Sequence, residues 1–365
     1  MEYGVELQGS LTLADDAVIE MRADNTISGA ISGDYVLWFR NRATSYASSV
    51  TLTNSANSTK GLNIASDGNT TAPVTVYLNA NYTATEYVRI AKHGTLVPGT
   101  YLSTPRIPLD YSDAVLDVSA AGMTLVDGMT LEGRGTVTGM VTAAEGSMVS
   151  PGMTTGTLNI TGDLDMSAGA DMTWSLGTLT DNTTGVAGTD FNLLLVSGAL
   201  TLGAASELTL DFTDVGDPSA AETFWSSDHA WTIATAFTLA GNFVSITNPT
   251  WATGAFATSI VDNNVLLNYV ASTALPIPGD TNGDRLVDEL DARRLAEKWG
   301  ASVGEGGFAD GDFNADGVVN ALDASILAAN WGDYTGGEST AAVPEPSSIV
   351  LLTAWLAMLF VRRRR

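Results

Sequence analysis

Residues 133–177 read GRGTVTGMVTAAEGSMVSPGMTTGTLNITGDLDMSAGADMTWSLG, and this stretch decides the fold. Val, Leu, Ile or Met alternates with Thr, Ser, Asn or Asp in short runs, and glycine stands at nearly every corner between them. Alternation with period two marks a strand with one buried face. Thr and Val at this density favour a pleated surface. Many short strands leave a sandwich, a barrel or a solenoid open; short rungs repeating with a glycine corner select the solenoid. The runs TLNITGDLDMSAGADMTWSL and LLVSGALTLGAASELTLDF read as two successive turns of it.

The pattern extends outward through SLTLADDAVIEM, SVTLTNS and VTVYLNA on one side and NVLLNYV on the other. Residues 1–110 carry it less clearly, and no helical stretch of useful length precedes Leu290. The expectation is a mainly β chain whose residues 1–270 form a β-solenoid, like a parallel β-helix. Trp38, Phe39, Trp174 and Trp225 read as core or corner packing rather than a sugar platform, since large aromatics commonly carry cores. Residues 133–177 and their neighbours resemble the strand repeats of β-helix and autotransporter-passenger proteins of bacterial surfaces.

Composition narrows the function classes. The 365 residues are 45% hydrophobic, enough for a sizeable core. There is no cysteine, so neither a disulfide framework nor a thiolate metal site exists. The formal net charge is −25, and no Lys or Arg lies between Arg134 and Arg285. Such a chain attracts cations and repels anionic polymers, which excludes nucleic acid as a partner. No nucleophile–base pair or paired-carboxylate motif is visible. His93 and His229 are the only histidines, and neither sits in a motif. Asp163 and Asp165, and likewise Asp15 and Asp16, read as strand turns, and Arg89, Lys92 and His93 as solvated surface.

A second signal lies beyond the proline-containing linker 271–278. GDTNGDRLVDELDARRLAEKWG (279–300) recurs 32 residues later as GDFNADGVVNALDASILAANWG (311–332), with 12 of 22 positions identical. Each copy places oxygen donors at loop positions 1, 3, 5, 9 and 12: Asp280, Asn282, Asp284, Asp288 and Asp291, then Asp312, Asn314, Asp316, Asn320 and Asp323. Position 7 offers the main-chain carbonyl of Leu286 or Val318. This is the EF-hand spacing, and calcium takes six to eight such oxygens. A lone DxNxD motif reads equally as an acidic turn; two copies in register, each leading into a short apolar helix, do not. Unpaired carboxylates repel until a cation joins them, so metal binding is expected to order the loops. Both loops depart from the usual EF-hand: position 12 is Asp, no convincing helix precedes either loop, and Arg285 replaces glycine at position 6 of the first. A duplicated loop-plus-helix with Asp at position 12 resembles the dockerin family. The resemblance implies two bound calcium ions and a cohesin-like docking partner. At loop positions 10 and 11, where dockerins commonly carry Ser or Thr, this chain has Glu289 and Leu290, then Ala321 and Leu322.

After a Gly-, Ser- and Thr-rich linker at 333–342, the chain ends VPEPSSIVLLTAWLAMLFVRRRR. The apolar run from Ile349 to Val361, thirteen residues long, is short for a span of about 17–25. The terminal Arg362, Arg363, Arg364 and Arg365 favour a membrane segment held by cytoplasmic charge. With Val343, Pro344, Glu345 and Pro346 as its motif, the tail resembles the PEP-CTERM sorting signal. That resemblance implies export, passage through the inner membrane as a transmembrane segment, and removal of the tail by an exosortase-type enzyme, leaving the mature protein at the surface or in the extracellular matrix. The start MEYGVELQGS has no basic or apolar leader; a missing signal peptide is the expectation. Together these features lead to the expectation of an exported, non-enzymatic β-solenoid with a calcium-dependent module, structural or adhesive at the cell surface or in an extracellular polysaccharide matrix. The rival reading is a secreted polysaccharide hydrolase or lyase tethered by the same module.

Overall fold

The structure is a computed structural model of the chain. It describes residues 4–42, 45–66, 71–99, 101–219, 222–247, 250–251, 253–272, 278–282, 286–303, 307–314 and 316–333. The chain divides into two compact units, residues 1–274 and 275–365.

The first unit is a parallel coil. Among the described residues its strands form two large sheets of sixteen and twelve strands, and up to His229–Ala240 neighbouring strands come from successive turns rather than from hairpins. Within the deciding stretch, Thr136–Thr138, Val141–Ala143 and Met148–Pro151 make one turn; Thr157–Ile160, Leu164–Met166 and Asp171–Ser175 make the next. Val137 pairs with Ile160, Val141 with Leu164 and Val149 with Met172. The third turn follows in register: Leu158 on Leu194, Leu164 on Leu200, Met172 on Leu208. The two runs read as successive turns are therefore successive turns.

Alternation dictates what each turn buries. Val50, Val76, Leu96, Leu116, Val137, Ile160 and Val196 form one unbroken inward ladder along the coil. None exposes more than 1% of its surface. Each such side chain contributes about 1.5–3 kcal/mol when withdrawn from water. The residues between them, such as Thr75, Thr95, Val115 and Thr136, point outward. Glycine holds the corner where its Cβ would strike the turn below. At Gly133, φ is +111° and a Cβ would sit 2.2 Å from the Leu109 carbonyl oxygen.

The described residues of 4–110, the less regular part of the sequence, belong to the same coil. Phe39 pairs between Ile19 and Ile64, and all of Ile31–Asn41 runs parallel to its neighbours. Phe39, Trp174 and Trp225 are buried as expected. Trp38 is not: one residue out of phase with Phe39, it faces outward, with the Arg40 guanidinium 5.5 Å from its ring centroid.

The coil does not run unchanged to residue 270. His229–Ala240 stacks parallel on Leu193–Leu202, but its other partner, Asn264–Ala271, is antiparallel. Gly254–Val261 completes an antiparallel meander. This corrects the expectation of solenoid throughout 1–270. The meander covers the end of the apolar column with aromatics. Trp174, Trp231, Trp225, Phe212, Phe256 and Tyr269 pack with centroids 4.9–6.3 Å apart. His229 lies against them, stacked 3.7 Å from Phe224. Its Nδ1 is 2.8 Å from Asp181 Oδ2 and its Nε2 is 2.6 Å from the Phe224 carbonyl. Asp181 also accepts from the amide and hydroxyl of Thr183. Burial works against ionisation of Asp181. The hydrogen bonds from His229 and Thr183, with the His229 charge, outweigh it and hold the carboxyl well below its ordinary range.

Among the described residues no helix is long and apolar enough to cross a membrane. The expected transmembrane segment, Ile349 to Val361, lies outside the described residues, as do Val343, Pro344, Glu345, Pro346 and the four terminal arginines.

Two predictions follow from these contacts. Leu116→Ala opens the inward ladder and destabilises the body by about 2–5 kcal/mol, whereas the outward Thr136→Ala stays within about 0.5 kcal/mol; urea unfolding measures both. Because Asp181 ionises more readily folded than unfolded, its contribution is present above about pH 4 and lost as pH falls below it. Asp181→Asn should lower the melting temperature near neutral pH, and the gap to wild type should close on acidification.

Candidate functional site

The second unit is built from two copies of one local design. In the first copy, Leu286–Val287 leads into helix α1, Glu289–Glu297; in the second, Val319 leads into helix α2, Ala321–Ala329. Both helices begin with a capping box. Asp288 accepts from the Leu290 amide at 2.7 Å, and the Asp288 amide donates to Asp291 at 2.9 Å. In the second copy Asn320 accepts from Leu322 at 2.8 Å and donates to Asp323 at 2.9 Å. Each cap satisfies amides that a helix start leaves without partners.

The acid at loop position 12 also closes the loop. Asp291 Oδ1 accepts from the Thr281 amide at 2.8 Å and the Asn282 amide at 3.3 Å. Asp323 Oδ1 accepts from the Phe313 amide at 2.8 Å and the Asn314 amide at 3.2 Å. Position 12 thereby ties loop positions 2, 3 and 9 to the helix in both copies. The helices then pack through Val287, Leu295, Val319 and Leu327, again two pairs separated by 32 residues. Gly279 and Gly311 open the loops with φ of +112° and +98°. A Cβ on Gly279 would meet Leu327 at 3.0 Å and one on Gly311 would meet Leu295 at 3.2 Å, so each loop mouth lies against the other copy's helix.

The second loop is the more completely described. Gly317 at position 6 has φ +83°, the sharp turn expected there. Asp312 accepts from the amides of Asp316 at 3.1 Å and Gly317 at 2.8 Å. The Asn314 side-chain amide, the Val318 amide and the Asn320 side chain hold Asp316 below the ordinary carboxylate range. A short 3-10 turn, Gly307–Asp310, precedes this loop where the sequence promised no convincing helix. In the first loop, Asp284 and Arg285 lie outside the described residues. Asn282, Asp288 and Asp291 keep the hydrogen bonds of their counterparts in the second copy, and Asp280 is buried like Asp312.

These loops suit a hard cation. Asp280, Asp291, Asp312 and Asp323 expose 5%, 0%, 4% and 0% of their surface. Among the described residues no Lys, Arg or His pairs with Asp291, Asp312 or Asp323. A buried carboxylate without a counter-charge is costly, and a calcium ion at the loop centre supplies one. The donors are all oxygens, from carboxylates, asparagine amides and main chain. Among the described residues no group of three or more His, Asp or Glu side chains converges as a metal site; Asn282, Asn314 and Asn320 stand beside the acids at the positions the spacing marks as expected ligands.

Candidate residues on the body resolve into structural roles. Asp16 accepts from the Val36 amide and Asp163 from the Ala199 amide, both at 2.8 Å, so each staples one turn to the next. Asp165 caps its own turn at the Ser167 amide. Arg89 is paired with Asp110, and His93 Nδ1 lies 2.5 Å from Asp113. A groove of about 620 Å³ is lined by Thr173, Thr209, Asp211, Phe212, Thr213 and Asp217. Burial opposes ionisation of Asp211, but the Thr213 hydroxyl and amide and the Ser175 hydroxyl prevail and keep it below its usual range. The Asp181–His229 pair was invisible in sequence, because 48 residues separate its members. It has the partners of a catalytic dyad, yet the second ring nitrogen is already held by a main-chain carbonyl.

No curated protein matches the chain. A family model does match its C-terminal part: residues 278–330 are detected as a dockerin type I domain, the span occupied by the two loops and their helices.

Proposed function

We propose that this is an exported, surface-associated β-solenoid protein, structural or adhesive in role, whose dockerin-type module binds two calcium ions and docks onto a cohesin-like partner. The observation that carries the reading is the doubled loop, with four nearly buried carboxylates and the same hydrogen-bond pattern in both copies. Type I dockerin domains bind calcium and cohesins, which supports both the ion and the partner. Asp280, Asn282, Asp284, Asp288 and Asp291 would hold one ion with the Leu286 carbonyl. Asp312, Asn314, Asp316, Asn320 and Asp323 would hold the other with that of Val318. Each ion cancels the mutual repulsion of its loop and locks the loop to its helix.

The rival is a polysaccharide hydrolase or lyase. Glycoside hydrolysis uses two carboxyls, one of them raised so that it can donate a proton. Asp211, in the hydroxyl-lined groove, is held in the opposite direction and so does not supply that proton. The likeness of the body to autotransporter-passenger repeats supports the surface role through the parallel coil. The PEP-CTERM-like tail supports export and exosortase processing through its sequence alone. An extracellular polysaccharide remains the proposed setting.

Calorimetry on the complete chain should give two calcium equivalents, with one lost in Asp280→Ala and one in Asp312→Ala. One equivalent or none in wild type contradicts the reading. Expressed with an export leader, the mature surface protein should yield no peptides from residues 349–361 by mass spectrometry; their recovery would mark that segment as a permanent anchor.

A further inference from the structure

The cations of the body are segregated onto one sheet. All eight lysines and arginines of residues 1–274 lie in a strand of the twelve-stranded sheet or within two residues of its end. None lies in a strand of the sixteen-stranded sheet. Four are matched by acids of neighbouring turns: Arg42 by Glu20, Lys60 by Glu86, Arg89 by Asp110 and Arg106 by Glu132. Arg40 and Arg134 differ. Among the described residues neither has a carboxylate partner. Each guanidinium lies over an aromatic ring instead, Arg40 at 5.5 Å from the centroid of Trp38 and Arg134 at 5.8 Å from that of Tyr111. The two arginines also share one column of the coil. Arg40 pairs with Ala65, and the amides of Ala91, Asp110 and Arg134 donate to the carbonyls of Ile64, Ile90 and Leu109, which carries the same position through the next three turns. Four strand spacings, about 19 Å, therefore separate them. Between them stand Ala65, Ala91 and the buried Asp110, whose Oδ1 has no hydrogen-bond partner among the described residues.

A guanidinium lying on a ring keeps its in-plane N–H donors free and is held in place before any ligand arrives. A carboxylate is the planar anion that such a fork fits. Resting on the polysaccharide setting proposed above, we infer that this column binds an acidic polysaccharide laid along the coil, with uronate carboxylates at Arg40 and Arg134 and the intervening sugar over Ala65, Ala91 and Asp110. The charge pattern selects that ligand. Nucleic acid binds where many closely spaced phosphates are neutralised together. Two guanidinia about 19 Å apart, in a chain of net charge −25, do not do that. A polymer with sparse carboxylates needs only those two. A neutral glycan would leave both forks without an anion. The small side chains between the arginines leave room for sugar rings, and a sugar hydroxyl is the donor that Asp110 Oδ1 lacks.

The test titrates the complete chain, with calcium, by calorimetry. The probes are oligomers of hyaluronan, in which glucuronate alternates with an uncharged sugar, and of mannuronate, each long enough to span both arginines. Arg40→Gln and Arg134→Gln should each weaken binding by roughly tenfold. Arg106→Gln, on the same sheet but paired with Glu132, should change it less than about twofold. Reducing the carboxyls of the hyaluronan oligomer to alcohols should weaken binding as much as both substitutions together. Arg134 Nε also donates to the Asp110 carbonyl at 2.8 Å. If Arg134→Gln lowers the melting temperature, Arg40→Gln decides alone, since among the described residues the Arg40 side chain makes no hydrogen bond. Full affinity in Arg40→Gln overturns the inference. Equal affinity for the reduced oligomer overturns the acidic ligand and leaves the polysaccharide setting standing. If no oligomer binds, the setting falls with the inference, while the calcium module is untouched. Tighter binding of a single-stranded oligonucleotide of the same length would give the face to nucleic acid and overturn the ligand inferred here.

Discussion

The body depends on one constraint: in a parallel coil, every turn must present the same position inward as the turn beneath it. A slip of one residue would turn an entire strand inside out. The ladder from Val50 to Val196 shows the constraint met at seven consecutive turns. Once it is met, the other features follow. Corners must be tight, so glycine takes positions where a side chain would strike the turn below. The open end of the column must be closed, so the last turn becomes an antiparallel meander packed with tryptophan, phenylalanine and tyrosine.

The same constraint accounts for much of the acidity. Asp16, Asp163, Asp171 and Asp228 each accept a main-chain amide from a residue at least 20 positions away. Others neutralise cations across turns, as Glu20 does with Arg42 and Glu132 with Arg106. Carboxylates on the body thus hold turns together. Those of the second unit are arranged differently: they converge within single loops, several are buried, and the described ones at Asp291, Asp312 and Asp323 have no cationic side chain. A shared residue type serves two purposes, and the geometry separates them.

How much of this was legible in sequence depends on range. Period-two alternation and glycine corners are local, so residues 133–177 disclosed the coil. The duplicated loops are local too, and their caps and helix starts stand where the spacing placed them. The antiparallel turnover after His229 was not legible, since Asn264–Ala271 has the same alternation as a parallel strand and direction leaves no mark on it. Nor was the Asp181–His229 contact, which the fold assembles from an inserted loop and a distant strand. Trp38 was misplaced because Phe39 beside it is equally apolar; only the register with Ile19 and Ile64 settles which of the two faces inward. Which leucine of ALDASILAAN is buried was not legible either: Leu327 points inward while Leu322 is exposed.

The central claim is that calcium orders this module by neutralising loop carboxylates while the body stands on its own apolar column. Hydrogen exchange of the complete chain with calcium and with a chelator tests it most directly. Calcium should protect the amides of Thr281, Asn282, Asp288, Phe313, Asn314 and Asn320, which donate to the position-12 acids, and leave those of the inward ladder unchanged. Equal protection of those six amides with and without calcium would contradict the account.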